Sequence, residues 1–259
     1  MSNKEQSTEN RYKIPMLEKG FEMLELLARF PAGITMQELI EKLNQPKTSV
    51  YRLLLSLTQM GYVCKDEENY RYYLSRKLLR LGLAALGESN IVELALPQMR
   101  LLRDSIRESV MLGVLMHNRV VLLEQVLGSH SFTFLLRPGG NFDLHSSAPG
   151  KLFLAYASAS EQEELLQSID YIRYNKNTIT SKEEMLKEIA NVQEQGYAID
   201  LEEGMDGVHC VAAPVFNQFG NIIAVLWTSG PSGRMPQKDF PVIAESLKQA
   251  AERISSSCG

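Results

Sequence analysis

The stretch from Thr35 to Leu74 leaves few folds open, because its boundary signals are closely spaced and of different kinds. Thr35-Met36-Gln37-Glu38 has the form of a capping box, in which the two end side chains bond each other's free amides. It opens a short helix with Leu39, Ile40 and Leu43 on its apolar side. Asn44-Gln45-Pro46 ends that helix and starts another, with proline near a first turn that needs no amide. The new helix carries Val50, Leu53, Leu54 and Leu57 at i, i+3, i+4, i+7, a stripe that must face a core, and it stops at Gly61. Tyr62–Lys65 and Tyr70–Leu74 then read as strands around the polar turn Asp66–Asn69. Upstream, Leu17, Phe21, Leu24 and Leu27 mark one face of an earlier helix, which Pro31 and Gly33 end. Helix, helix, tight turn, helix and hairpin within about sixty residues is the plan of a winged helix-turn-helix, assigned here to residues 14–75.

Residues 1–13 read as a disordered leader without the apolar core of a signal peptide. Ser75–Gly87, with Leu78, Leu79, Leu81 and Leu83, reads as a linker helix within residues 76–90. Beyond it, residues 91–259 mix helices and strands in the manner of an α+β sheet domain. Helices are expected over about 91–108, 150–157, 160–169, 181–195 and 237–255. Strands are expected over about 110–116, 120–126, 132–136, 208–216 and 222–229.

Charge divides along the same line. Residues 1–80 hold 13 Lys and Arg against 10 Asp and Glu, the remainder 14 against 21, within a net charge of −4. Contact with DNA is therefore expected to be local to the N-terminal part. No apolar run is long enough for a transmembrane helix. Cys64, Cys210 and Cys258 are too few and too scattered for a disulfide framework or a zinc knuckle, which suits a reducing cytoplasm.

On the helix with the Val50–Leu57 stripe, Thr48, Arg52 and Ser56 lie opposite the core, with Lys47, Ser49 and Tyr51 flanking them near the N-terminus. Hydroxyls and free amides suit phosphates, and Arg52 suits a guanine edge. The plain alternative is a solvated helix face, and the helix, turn and hairpin around it favour DNA. On the hairpin, Lys65 and Arg71 suit phosphates at the sides of a wing. The acidic tip, with Asp66, Glu67 and Glu68, would be repelled.

Several motifs, in order, carry a resemblance to a known family. The segment from Asn44 to Leu55 is similar to the recognition segment of IclR-family regulators. His145-Ser146-Ser147-Ala148-Pro149-Gly150-Lys151 resembles that family's His-Ala-(Ser/Thr)-x-x-Gly-Lys motif. The segments Gln195–Glu203, Gly207–Val215 and Ser229–Ser232 follow in the family's order and spacing, so the match spans about Ile14 to Ser255. The resemblance implies a winged helix-turn-helix, a linker helix and a GAF-like mixed α/β effector domain. It also implies a homodimer or homotetramer on a palindromic operator in double-stranded DNA, working in the cytoplasm without a cofactor or a membrane.

The resemblance further implies an effector pocket. Its residues carry over to Ala148 and Pro149 of the motif loop, Asp200, Cys210, and Trp227 with Ser229, with Phe134, Phe142 and Leu144 as apolar lining. A loop entering a helix N-terminus suits a small carboxylate, and Asp200 suits a ligand hydroxyl. Pro149 lacks an amide hydrogen, and Trp227 stands where the family often has a small polar residue, narrowing the pocket or offering a stacking face. Both departures count against a small 2-oxo acid and leave a sugar acid packed on Trp227, or an aromatic acid, as good a reading. From the residues alone, Ser147 reads as a helix cap, Cys210 and Trp227 as core, and Asp200 with Glu202 and Glu203 as a solvated turn.

Three other readings compete with this one. A nucleophile–base arrangement of Cys210, His209 and Asp200 meets the objection that adjacent strand residues point to opposite faces, so an enzyme is not expected. His117, His130, His145 and His209 are scattered and lack metal-ligand spacing, so no metal is expected. A regulator without a small ligand, controlled by a partner protein, stays open.

Overall fold

The structure is a computed structural model, and it describes residues 14–85 and 91–258, with side chains omitted for residues 80 and 83–85. The expected leader and the end of the expected linker lie outside the described residues. The chain divides into two compact units, Met1–Glu88 and Ser89–Gly259.

The first unit runs α1 (Pro15–Ala28), β1 (Ile34–Thr35), α2 (Met36–Leu43), α3 (Lys47–Gln59), β2 (Val63–Lys65), β3 (Arg71–Leu74) and α4 (Lys77–Ala85). The Thr35–Glu38 capping box is formed, with the Glu38 carboxylate accepting from the Thr35 amide at 2.8 Å. Asn44, in the left-handed region at φ 49°, closes α2. Val50, Leu53, Leu54 and Leu57 are all buried, with Met23, Leu27, Ile34, Leu39 and Val63 completing the core. The apolar face of α1 is a correction. Leu17 and Phe21 stay 55% and 58% exposed, and Met23 with Leu27 faces the core. The hairpin forms as expected and gains β1 on its far side, giving the order β1-β3-β2.

The second unit runs α5 (Ile91–Ile106), β4 (Ser109–Met116), β5 (Arg119–Val126), β6 (Asn141–Asp143), α6 (Ala148–Tyr156), α7 (Ala159–Gln167), α8 (Lys182–Gln195), β7 (Ala198–Leu201), β8 (Val208–Phe216), β9 (Ile222–Pro231), a 3-10 turn (Gln237–Asp239) and α9 (Phe240–Ser256). The strands form one antiparallel sheet ordered β6-β5-β4-β9-β8-β7. Helices α5 and α9 contribute to the core on one face, α6 and α8 to that on the other. Burial on both faces explains why β8 and β9 read as nearly continuous apolar runs.

Two expectations about strands are corrected. Phe132–Leu136 is not a strand, because no neighbour offers it a ladder. The Gln125 side chain holds it instead, donating to the Phe134 carbonyl at 2.7 Å and accepting from the Leu136 amide at 2.8 Å. β6 and β7, too short to announce themselves by alternation, form the two edges of the sheet.

Candidate functional sites

On α3, Lys47, Thr48, Tyr51, Arg52 and Ser56 are exposed, and Ser49 is half-buried. Among the described residues neither Lys47 nor Arg52 has an ion-pair partner. Pro46 is the N-cap and makes no side-chain cap bond; the Ser49 amide bonds the Pro46 carbonyl at 2.9 Å, and the Lys47 and Thr48 amides are left open. The wing is more committed to its own fold. Lys65 bonds Glu67 at 2.6 Å and lies over the Tyr70 ring at 5.0 Å, while Arg71 donates to the Gly33 carbonyl at 2.8 Å. At the tip Asp66 is structural, since its carboxylate accepts from the Glu68 amide at 2.9 Å and the Asn69 amide group at 2.6 Å.

In the second unit, sheet register assembles the other set of residues. Ser109 pairs with Ser229, Ser229 with Cys210, and Cys210 with Asp200, one row across β4, β9, β8 and β7. Directly opposed residues share a face, so these four polar side chains lie in line. The next row is Gln125, Met111, Trp227, Ala212 and Ala198, on the face that α6 and α8 cover. The Cys210 sulfur lies 3.0 Å from the Ser229 hydroxyl. Ser109 and Gln125 were not singled out from the sequence. Only the register shows that Ser109 extends the row and that Gln125 tethers the Phe134 segment.

The motif loop arrives from β6. Ser147 caps α6, accepting from the Gly150 amide at 3.2 Å while its hydroxyl donates to the Asp143 carbonyl at 2.6 Å. Ser147 is therefore a helix cap, and the cap fixes the turn that carries Ala148 and Pro149. Gly150 is required by contact, since a Cβ there would lie 2.5 Å from Leu144 Cα. Leu144 is buried, and Phe142 stands edge-on to Trp227 with ring centroids 5.5 Å apart. Phe134, half-buried, meets Phe132 edge-on.

Trp227 does not offer an open stacking face. It is 1% exposed, and its ring fills the space over Gly113, where a Cβ would meet it at 2.9 Å. Asp200 and Glu203 are likewise no solvated turn, being 6% and 7% exposed, with the Asp200 carboxylate accepting from the Glu203 amide at 2.7 Å.

One buried cation serves the carboxylates beneath this row. Lys151 is buried and donates to Glu203 at 2.6 Å, to Glu188 at 3.0 Å and to the Ile199 carbonyl at 2.8 Å. Burial alone would lower its pKa, but Glu203 and Glu188 reverse that and the net direction is up. Burial, reinforced by the neighbouring Glu203 carboxylate, raises Asp200 to about 7. Burial also pushes the Cys210 thiol well up, so it is a neutral donor and a poor nucleophile. His209 faces away from it, bonding the Met235 carbonyl at 2.7 Å and meeting Phe240 edge-on.

Asp200 carries a stability consequence. Its folded pKa lies above the unfolded value of 3.8, so the unit is favoured at low pH and loses stability as pH rises towards 7. Between pH 5 and 8 the loss amounts to about 3 kcal/mol. Asp200→Asn, which keeps the acceptor for the Glu203 amide, is expected to flatten this dependence and raise Tm more at pH 8 than at pH 5. Parallel melting curves for the two proteins at pH 5 and pH 8 would refute the buried acid.

Among the described residues no helix is long and apolar enough to cross a membrane, and no group of three or more His, Cys, Asp or Glu is placed to hold a metal.

Comparison with known proteins agrees with this layout. A family model described as the IclR helix-turn-helix domain matches residues 16–67, and one described as the bacterial transcriptional regulator IclR C-terminal matches residues 83–256. The HTH-type transcriptional regulator KdgR of Escherichia coli K12 is 35% identical over 227 residues, covering 88% of this chain and 86% of its own. The solved IclR transcriptional regulator of Alicyclobacillus acidocaldarius aligns at a TM-score of 0.81 with 26% identity, over 96% of this chain and 100% of its own. An IclR homologue of Microbacterium hydrocarbonoxydans, solved in complex with 4-hydroxybenzoate, aligns at 0.80 with 25% identity, over 94% and 98%.

Proposed function

The chain belongs to the IclR family of DNA-binding transcriptional regulators, and from that premise we propose that its second unit is a receptor for a small hydroxylated monocarboxylic acid that modulates operator binding. The observation that carries this is the polar row Ser109, Ser229, Cys210 and Asp200, laid across an otherwise apolar sheet face. Its members already bond within the protein, Ser109 to the Gly128 amide, Cys210 to Ser229 and Asp200 to the Glu203 amide, so they are fixed in place and keep donor and acceptor capacity for a ligand bearing hydroxyls. The 4-hydroxybenzoate bound by the Microbacterium homologue is of this class.

In this reading Ala148 and Pro149 border the ligand from the α6 turn. Phe134, Phe142, Leu144 and Trp227 close the site with apolar surface, and Asp200, Cys210 and Ser229 make the polar contacts. On DNA, Lys47, Thr48, Ser49, Tyr51 and Ser56 hold the backbone of a major groove that Arg52 reads, and Lys65 and Arg71 contribute from the wing. Ile14, Met16, Leu17 and Phe21 of the first unit are exposed apolar residues, which supports a homodimer whose two recognition helices meet a palindromic operator in the cytoplasm. The ligand acts by favouring one spacing of those helices over another.

A thermal-shift panel of monocarboxylic acids with and without hydroxyls tests the receptor. A true effector at a hundred times its Kd adds about 2.7 kcal/mol to stability. Ser229→Ala, which removes the hydroxyl and adds no bulk, is expected to weaken that effector by about tenfold to a hundredfold. Absence of any shift across the panel would favour control by a partner protein.

A further inference from the structure

We propose that this site takes its acidic effector as a monoanion together with one proton, which rides on the Asp200 carboxyl and makes that residue a hydrogen-bond donor to the ligand. The inference rests on the receptor reading above and concerns how that site balances charge.

A buried carboxylate ligand needs a cation, a set of free amides or a proton. The groups around Asp200 supply neither of the first two. From α6, Lys151 already has three acceptors for its three protons, namely Glu203, Glu188 and the Ile199 carbonyl. From the β7–β8 turn comes the carboxylate of Glu203, whose second oxygen is buried without a partner. Glu202 of the same turn points to His209, at 3.7 Å. From β8 comes Cys210, a thiol, and His209 lies on the opposite face of that strand against Met235 and Phe240. From α8 comes Glu188, bonded to Lys151.

The N-terminus of α6, which carries the motif loop, is depleted as well. Ser147 occupies the Gly150 amide and Pro149 has none to give, so of its first three positions Ala148 alone keeps an open amide, which is not a set. With Asp200 ionised, Lys151, Glu203, Glu188 and Asp200 together carry a charge of about −2 before any ligand enters. A carboxylate effector would add a third net negative charge to a buried cluster. Taking a proton from solvent onto Asp200 removes one, and it turns an acceptor that would repel the ligand into a donor that holds it. Burial beside Glu203 already brings Asp200 to about 7 in the free protein, so the proton comes readily at neutral pH. A second carboxylate on the ligand has no corresponding partner, which makes dicarboxylates poor effectors.

Titration calorimetry on the full chain tests this with 4-hydroxybenzoate, gluconate and lactate, and with malate and glucarate as dicarboxylates. Runs at pH 6, 7 and 8 in buffers of different ionisation enthalpy count the protons taken up. The expected count for a binding monoacid is about half a proton at pH 7 and most of one at pH 8. Its Kd should be flat below pH 6 and weaken by up to about tenfold per unit above pH 7. Asp200→Asn, a permanent donor, should bind with a pH-independent Kd, and the dicarboxylates should bind at least about tenfold more weakly. The wild-type proton count decides the matter if that variant fails to fold. A monoacid that binds with no proton uptake and an unchanging Kd overturns the proton step and leaves the receptor standing. No acid bound at any pH overturns both.

Discussion

Replacing Lys151 with methionine is expected to destabilise the second unit by about 3–5 kcal/mol at pH 8, the range for removing one member of a buried ion pair. Lys151 is 1% exposed, and among the described residues its ammonium is the only cation paired with Glu203 and Glu188, which are 9% and 19% exposed at the side chain. Methionine keeps the length of the stem and the packing within α6, so the loss isolates the charge. The deprived carboxylates are then held charged at a cost, or they take a proton. Glu203, already raised by burial against the pull of Lys151, rises further, and a raised carboxyl penalises the fold above that pKa and is relieved as pH falls. The defect should therefore be smaller at pH 5.5 than at pH 8. Adding Glu203→Gln should return part of the loss, because it removes one of the orphaned charges. Trp227 is the single tryptophan of the chain and lies in the same unit, so urea unfolding followed by its fluorescence reads this unit directly. A loss below about 1 kcal/mol that does not vary with pH would mean that the pair is solvated and adds little.

That pair also marks where the sequence stops being informative. The Val50–Leu57 stripe and the Thr35–Glu38 box were legible because each is set by residues within two helical turns of one another. The stripe on α1 was not, since its apolar residues include Met16, Leu17, Phe21, Met23, Leu24, Leu26 and Leu27, too many to define one face. Packing then chose Met23 and Leu27. Phe132–Leu136 has strand composition, but strand formation depends on a partner's free edge, and β5 gives its outer edge to β6. The row Ser109, Ser229, Cys210 and Asp200 joins four strands in register, and its neighbour Lys151 meets Glu203 across 52 positions of chain. No local pattern encodes such pairings. Motif resemblance located Asp200, Cys210 and Ser229, and the register placed Ser109 in line with them.

Replacing Arg52 with alanine is expected to abolish sequence-selective binding to DNA while leaving stability unchanged. Arg52 is exposed on α3, opposite the buried Val50, Leu53, Leu54 and Leu57, and among the described residues it has no ion-pair partner to lose. Its fork suits the two acceptors of a guanine edge, and such a contact contributes about 1–3 kcal/mol. If the protein binds as the proposed dimer on a palindrome, the contact is made twice and the specific affinity should fall by about thirtyfold to twenty-thousandfold. Non-specific binding should fall far less, because Lys47 and the open amides of the first turn still meet phosphates. Arg52→Lys should not restore specificity, since an ammonium cannot make the bidentate contact. Arg71 gives the contrasting case. Its guanidinium donates to the Gly33 carbonyl, so Arg71→Ala should lower the melting temperature of the first unit before it alters base preference. Binding to a site selected from random DNA, measured over a salt series with Arg253→Ala, an exposed arginine of the second unit, as control, separates these effects. If Arg52→Ala retains its selected site within about threefold of wild type, α3 does not read bases through Arg52, and specificity must come from DNA shape or the wing.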